Sequence, residues 1–166
     1  MELVSAAKMR RTVGRTTSSR PYANTSWNVL MSISDKVRKH HPLLQTKSSF
    51  KNIATVVISS NRGLCGGFNN NLVTLGLDRL KKASERNQKV DFITFGKKGR
   101  DGLLKAGGNI IADFPKEDIT KDISTIIPMI KLVISDFLHG KYDRVDVVYT
   151  DFVSSLTQKA RRKRLL

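Results

Sequence analysis

Cysteine is almost missing from this 166-residue chain, which contains a single one, Cys65. An internal disulfide is therefore impossible, and the composition is typical of a reducing compartment. Because only Arg62 is charged in the surrounding turn, Cys65 is expected to be a small buried residue rather than a nucleophile. No apolar run approaches the roughly 20 residues that a membrane span needs. Lys8, Arg10 and Arg11 interrupt the region where a signal peptide would be apolar, so a soluble or peripherally attached protein is expected.

Acidic residues are also scarce, with 14 Asp and Glu against 30 Lys and Arg and a formal net charge of +16. So large an excess fits an acidic partner, which would be nucleic acid, an anionic membrane or an acidic protein surface. Composition does not choose among these three. His40 and His41 are adjacent and point to different sides of a helix, with no nearby Cys or acidic residue, so no metal site is predicted. The length favours one domain with a real core.

A glycine-dense turn follows the apolar run Val56–Ser59 and precedes a helical pattern that begins at Phe68, as at the opening of an α/β domain. Three glycines in five residues indicate positive φ angles or a close approach of the backbone to another segment. Their spacing fits neither common phosphate-binding fingerprint. A structural turn is therefore favoured over a phosphate site, and it comprises Arg62, Gly63, Cys65, Gly66 and Gly67.

A second basic turn contains Gly96, Gly99 and Gly102 together with Lys97, Lys98 and Arg100. Its glycines fall one residue away from a phosphate fingerprint. An anion could be attracted there, but an exposed basic turn is the expected structure.

Periodicity predicts an α/β class with a doubly wound, largely parallel sheet. The predicted strands are Ile53–Ser59, Val90–Phe95, Asn109–Phe114 and Arg144–Phe152, with a possible edge strand over Thr157–Leu166. The predicted helices are Phe68–Arg86, a short one ending near Lys105, and Ile119–His139, which Pro128 is expected to kink.

The N-terminal residues lie outside that alternation. The expected organisation is a helical arm over 1–41, a linker over 42–52 and an α/β globular domain over 53–166. By propensity, Thr12–Ser26 is poor helix material because it contains Gly14, Pro21 and many hydroxyl side chains. A stripe at helical spacing follows, which predicts a face packed on another helix; it consists of Trp27, Leu30, Met31, Ser34 and Val37.

Four segments in register carry a resemblance over nearly the whole chain. They are Met1–Arg11, Arg20–Ala23, Ser60–Asn69, which contains the R-G-L-C-G-G turn, and Tyr149–Lys159. With these segments the sequence resembles the gamma subunit of the F-type ATP synthase.

The resemblance implies a Rossmann-like domain, mostly a parallel sheet flanked by helices, between long N- and C-terminal helices that form an antiparallel coiled coil. It implies that one helix runs from about Glu2 to Arg38 despite its poor local propensity. It further implies a structural glycine turn and no catalytic residue, cofactor or metal site in this chain. Lys8, Arg10 and Arg11 are the candidates for contacts with acidic loops of the beta subunits.

The function implied is that of the central-stalk rotor, which couples proton flow through the membrane sector to ATP synthesis by rotation. The implied partners are the alpha and beta subunits of the catalytic hexamer, the epsilon subunit and the membrane c-ring. The implied location is peripheral, on the cytoplasmic face of a bacterial cell membrane, with an organellar inner membrane as the alternative.

The chain departs from the family pattern at both ends. Met1 aligns inside the family's first helix, and the C-terminal helix is missing, so the coiled coil is not expected to form within this chain. Ala160–Arg164 also replaces a segment that usually contains a proline. Two alternatives stay open, a basic nucleic-acid-binding module that uses the arm and Arg161–Arg164, and a nucleotide-binding enzyme at the Gly63 turn.

Overall fold

The chain divides into two compact units, Met1–Gln45 and Thr46–Leu166. The computed structural model describes residues 2–37, 41–45, 49–116 and 123–166. In the first unit, helix α1 spans Glu2–Val37 and a short 3-10 turn spans Pro42–Leu44. His41 precedes this turn and its Nδ1 accepts a hydrogen bond from the Leu43 amide at 3.3 Å. His40 and Arg38 lie outside the described residues.

Helix α1 is continuous through Gly14 and Pro21, which confirms the single helix that the resemblance implied. The low helix propensity of Thr12–Ser26 does not interrupt the helix. Hydroxyl side chains there bond back to the helix, because those of Thr12, Thr16, Thr17, Ser18 and Ser19 donate to carbonyls three or four residues earlier at 2.9 to 3.1 Å. The hydroxyls are thus satisfied without leaving the helical conformation.

In the second unit, helices and strands alternate around one sheet. The elements are β1 (Asn52–Ile58), α2 (Phe68–Ser84), β2 (Lys89–Phe95), α3 (Lys97–Lys105), β3 (Asn109–Phe114), α4 (Ile127–Leu138), β4 (Arg144–Phe152) and β5 (Gln158–Arg164). The strand order is β3-β2-β1-β4-β5. The pairs among the first four strands are parallel, and β5 pairs with β4 in the antiparallel direction. The predicted mostly parallel sheet is confirmed.

Pro128 is the second residue of α4 and does not kink a longer helix, so the prediction of a kink is wrong. It lies in the first turn of the helix, where its missing amide hydrogen costs no hydrogen bond and its fixed φ suits the helix. Residues 117–122, which the predicted helix included in part, lie outside the described residues. A short 3-10 turn at Ile123–Thr125 precedes α4.

Strand β1 occupies the centre of the sheet, and its residues Ile53–Val57 are all buried. Alternate side chains point to opposite faces, so both faces of β1 are covered, as the unbroken apolar run predicted. One face packs under α2, where Leu72 and Phe92 are fully buried in the same cluster as Ile53 and Val57. Each such side chain contributes on the order of 1.5–3 kcal/mol to stability. Helix α4 contacts β4 and buries Met129, Val133 and Phe137.

Two carboxylates are buried in the sheet, and each has cationic or hydrogen-bonding partners. Asp91 Oδ2 accepts a hydrogen bond from the Tyr142 hydroxyl at 3.0 Å, and its Oδ1 accepts one from Asn109 Nδ2 at 2.7 Å. Asp146 lies 3.2 Å from Arg79 Nε and 2.8 Å from Arg144 Nε. These contacts offset the cost of removing the charges from water.

The ends of β1 and β2 are held together at Ser59 and Gly96. The Ser59 hydroxyl donates to the Gly96 carbonyl at 2.9 Å and accepts from the Gly99 amide at 2.8 Å. Gly96 has a φ of +114°, and a Cβ there would lie 2.4 Å from the Ser59 carbonyl oxygen. No side chain fits at this position, which makes Gly96 a structural requirement of the β2–α3 junction.

Replacing Gly96 with alanine should destabilise the second unit by at least 1–3 kcal/mol, roughly the cost of a strained backbone, because the added methyl group also meets backbone. The measurement is urea unfolding followed by circular dichroism. Gly140→Ala is the matched control, since Gly140 also has positive φ (+75°) but nothing lies within 4 Å of the added Cβ. Equal losses in the two variants would contradict the steric explanation.

Tyr142 should make the folded state sensitive to alkali. Burial, together with its hydrogen bond to Asp91, raises the pKa of Tyr142 above its ordinary value. The folded state therefore keeps the proton to higher pH than the unfolded state. The resulting contribution to the free energy of unfolding is present below about pH 10 and falls as pH rises further. Tyr142→Phe should remove that part of the pH dependence and cost about 1–3 kcal/mol at neutral pH, because Asp91 loses a donor.

The measurement is the free energy of unfolding between pH 8 and 11, approximately the window that the tyrosine pKa sets. Tyr149→Phe serves as the control for loss of a tyrosine hydroxyl. If Tyr142→Phe keeps the wild-type slope above pH 10, the raised pKa of Tyr142 is not the cause.

Candidate functional site

The glycine turn connects the end of β1 to the first turn of α2, and Asn69 organises it. The Asn69 side chain accepts a hydrogen bond from the Ser60 amide at 3.1 Å, and its Nδ2 donates to the Ser60 hydroxyl oxygen at 2.8 Å. Its Nδ2 lies 3.1 Å from Cys65 Sγ and 3.4 Å from the Arg62 carbonyl oxygen. The Ser60 hydroxyl donates to the same carbonyl at 2.6 Å. The turn predicted from sequence is thus gathered around one side chain of α2.

Only one of the three glycines in this turn needs its conformational freedom. Gly66 has a φ of +57°, whereas a Cβ on Gly63 would meet nothing closer than 3.8 Å. Leu64 adopts a φ of +58° although it has a side chain, and it is fully exposed. Such a conformation is uncommon outside glycine, asparagine and aspartate.

Cys65 is exposed, so the expectation of a buried cysteine is wrong. The physical reason is that the turn extends past the end of β1, where the chain has left the covered part of the sheet. Its thiol is 4.0 Å from the Ser60 hydroxyl and 3.9 Å from the Arg62 carbonyl oxygen. Neither neighbour is a base that would activate a nucleophile.

The second basic turn offers few open donors for an anion. At the start of α3, the Lys97 amide donates to Asn61 Oδ1 at 3.3 Å and the Lys98 amide donates to the Ser60 carbonyl at 3.0 Å. The next amide, that of Gly99, is bonded to Ser59 as described above. The helix terminus that would attract phosphate is therefore occupied by the β1–α2 loop.

A cavity of about 280 Å³ lies between the start of α2 and the β4–β5 hairpin. The strand order reverses between β1 and β4, and ligands of open α/β sheets bind at such a point. The lining of this cavity, however, contains no acid–base pair that could carry a reaction. The lining residues are Cys65, Gly67, Phe68, Asn71, Thr150, Leu156, Gln158 and Ala160.

The basic residues proposed for partner contacts lie exposed on α1, in the other unit. At 100° per residue, Lys8 and Arg11 share one side of the helix, while Arg10 points away from them. Arg15 is also exposed and falls on the side of Lys8 and Arg11. Sequence reasoning missed Arg15, although its spacing of seven and four residues from Lys8 and Arg11 would have revealed it.

Two further properties of the described residues bear on other classes of function. Among the described residues, no group of three His, Cys, Asp or Glu side chains is arranged to hold a metal ion. Within the same residues, no helix combines the length and apolar character that crossing a bilayer demands.

Comparisons with known proteins agree across the whole chain. The family model described as ATP synthase matches residues 1–166. The ATP synthase gamma chain of Legionella pneumophila is 32% identical over 166 residues, which are all of this chain and 58% of that protein. The gamma chain of Stenotrophomonas maltophilia is 34% identical over 167 residues, with the same coverage. The chain thus spans 58% of the length of these relatives.

Among solved structures, the fold is similar to a chain of the Tetrahymena thermophila mitochondrial ATP synthase, from its central stalk and c-ring. The TM-score is 0.77 at 22% identity, and the match covers all of this chain and 70% of the other. At that identity the likeness shows the fold, namely a long helix combined with this sheet. The relatives that the chain resembles over 58% of their length are gamma chains, and the family-model match over all 166 residues shows that the chain belongs to the ATP synthase family.

Proposed function

We propose that this chain acts in the rotor of a proton-translocating F-type ATP synthase, as the central-stalk part that couples proton flow to ATP synthesis. The observation that carries the proposal is the match of all 166 residues to the ATP synthase family model. The chain spans 58% of the length of its relatives, which are named ATP synthase gamma chain. The proposal therefore applies the role of a whole gamma subunit to this part of it.

The proposed mechanism is mechanical. Proton flow turns a membrane ring, the stalk turns with it, and its asymmetric helix presents a different surface to each of three catalytic sites in turn. Differential contacts of that kind shift the conformational equilibrium of each site, which is the only way in which a bound partner alters it. The chain itself is proposed to be non-catalytic, and the turn of Arg62, Gly63, Cys65, Gly66 and Gly67 is proposed to be structural.

The proposed partners are the alpha and beta subunits, the epsilon subunit and the membrane c-ring. Exposed apolar residues on α1 support a packed helical partner there, because more than a third of the surface of each is accessible; they are Trp27, Leu30, Met31 and Val37. The complex would hold the chain peripherally, on the cytoplasmic face of a bacterial cell membrane.

The exposed cations near the start of α1 are proposed to face acidic loops of the beta subunits. They are Lys8, Arg10 and Arg11, to which the helix geometry adds Arg15. Lys8, Arg11 and Arg15 lie along one side of the helix, where their like charges raise the local electrostatic potential. An acidic surface would be attracted to them at ordinary ionic strength.

Neutralising the cations on one side of α1 should weaken binding to an alpha–beta hexamer. The triple change Lys8→Gln, Arg11→Gln and Arg15→Gln is expected to raise the dissociation constant about tenfold or more, because each rim charge contributes a few tenths to 1 kcal/mol. Binding is measured by surface plasmon resonance with immobilised hexamer at two salt concentrations.

Lys36→Gln, near the other end of α1, is the matched control and should change the affinity little. Arg10→Gln tests whether the second side of the helix also contacts the partner. Failure of the wild-type chain to bind the hexamer would contradict the proposed function. Normal binding by the triple variant would contradict only the role of the cations.

A further inference from the structure

Five arginines gather where α2 ends beside β4 and β5, and together they form the arginine cluster. On β5, Arg162 and Arg164 lie on the same face as Ala160, which packs against the core under α2. Helix α2 contacts both β4 and β5. The members are Arg79, the three arginines whose charges act on it, and Arg164, which shares the Phe50 ring with Arg144; those three are Arg86, Arg144 and Arg162.

Side chains of the cluster are held close together by aromatic and acidic neighbours. The guanidinium carbons of Arg144 and Arg164 lie 5.5 and 5.6 Å from the centre of the Phe50 ring. In the sheet, Arg164 is the register partner of Asp146, the carboxylate that pairs with Arg79 and Arg144. Two like charges beside one ring and one carboxylate form a densely positive site.

The carboxylates in this region do not balance the arginines. Asp146 Oδ1 accepts a hydrogen bond from Arg144 Nε at 2.8 Å, while its Oδ2 lies 3.2 Å from Arg79 Nε without a hydrogen bond from any described residue. Asp78 lies 2.9 Å from Lys82 Nζ and 3.5 Å from Arg162 Nη1. Arg164 Nε donates to the Leu166 carbonyl oxygen at 3.1 Å. In the described part of the chain, three guanidinium groups of the cluster thus share two aspartates, and a lysine also uses one of these.

Arg79 shows the imbalance most directly. It is 4% exposed, and among the described residues neither its Nε nor its Nη2 donates a hydrogen bond, although Nε lies 3.2 Å from Asp146 Oδ2. Burial lowers the pKa of Arg79, and the charges of Arg144, Arg162 and Arg86 lower it further, while Asp146 raises it. A buried donor without an acceptor costs about 1–3 kcal/mol, so an added acceptor would be favourable.

We propose that the arginine cluster binds a phosphorylated anion. Planar guanidinium groups match phosphate oxygens in pairs, and a polyvalent anion offers the several acceptors and negative charges that this site lacks. Arg86 is exposed and the Arg162 side chain is 27% exposed, so an anion reaches the cluster from solvent between α2 and β5. A soluble phosphorylated compound and a phospholipid headgroup share this chemistry.

The test is calorimetric titration of the 166-residue chain with pyrophosphate at constant ionic strength. Saturable binding is expected, and Arg86→Gln and Arg162→Gln should each weaken it about tenfold through the loss of charge-assisted hydrogen bonds. Both side chains reach solvent, so these variants should keep the fold, which circular dichroism checks.

Two lysine variants serve as controls of equal charge change. Lys159→Gln lies on the opposite face of β5 from Arg162, and Lys98→Gln lies beside Gly63, where a Cβ would be 3.8 Å from the lysine Cε. Both should bind pyrophosphate with affinity within about twofold of wild type, as expected for a screened, distant charge. Loss of binding in Lys98→Gln would place the anion at the glycine turn and overturn the proposal.

Absence of saturable binding, or equal weakening in all four variants, would also overturn it. Vesicles that contain phosphatidylglycerol identify the source. If they displace pyrophosphate in the wild-type chain but bind poorly to Arg162→Gln, a lipid headgroup is the physiological anion. If they do not displace it, the site takes a soluble phosphorylated compound. Neither result depends on binding to the hexamer, so this site and the rotor role fail separately.

Discussion

The buried ion pair between Arg79 and Asp146 is the constraint on which the arrangement of the α/β unit depends. Asp146 is completely buried on β4, and Arg79 is nearly so on α2. Removing Asp146 would leave the Arg79 charge in the core without a carboxylate, at a cost of about 3–5 kcal/mol, whereas Asp146 also pairs with Arg144. Helix α2 is therefore restricted to the register that places Arg79 over Asp146. The same register places Leu72 against the core under that helix.

Local patterns predicted the parts of this fold in which local and tertiary preferences agree. The bounds of β3 and β4 are those that the apolar runs indicated, because both strands are short runs between clear turn residues. Pro128 was misjudged because a proline inside a helical pattern and a proline at a helix start look alike when the preceding segment is also apolar. In α1, hydroxyl groups that usually oppose helices bond within the helix instead.

The candidate sites also differ in whether local sequence alone could reveal them. The glycine turn was visible because its residues are consecutive, yet the exposure of Cys65 depends on where the loop runs past β1. The arginine cluster was not visible, since its members are separated by up to 85 positions and only the pairing of β5 with β4 joins them. Charge composition indicated an anionic partner, but the placement of each cation requires the sheet register.

The direction of β5 has one more consequence. Because this strand runs opposite to the others, it ends where β1 and β4 begin. There the Val145 amide donates to the Leu166 carbonyl at 3.0 Å. At the same end of the sheet, the Asp143 amide donates to the Asn52 carbonyl at 2.8 Å. The start of β1 and the residues after β5 are thus both bonded to residues at the start of β4. Both β1 and β5 pair with β4, so loss of that strand would release the two segments together.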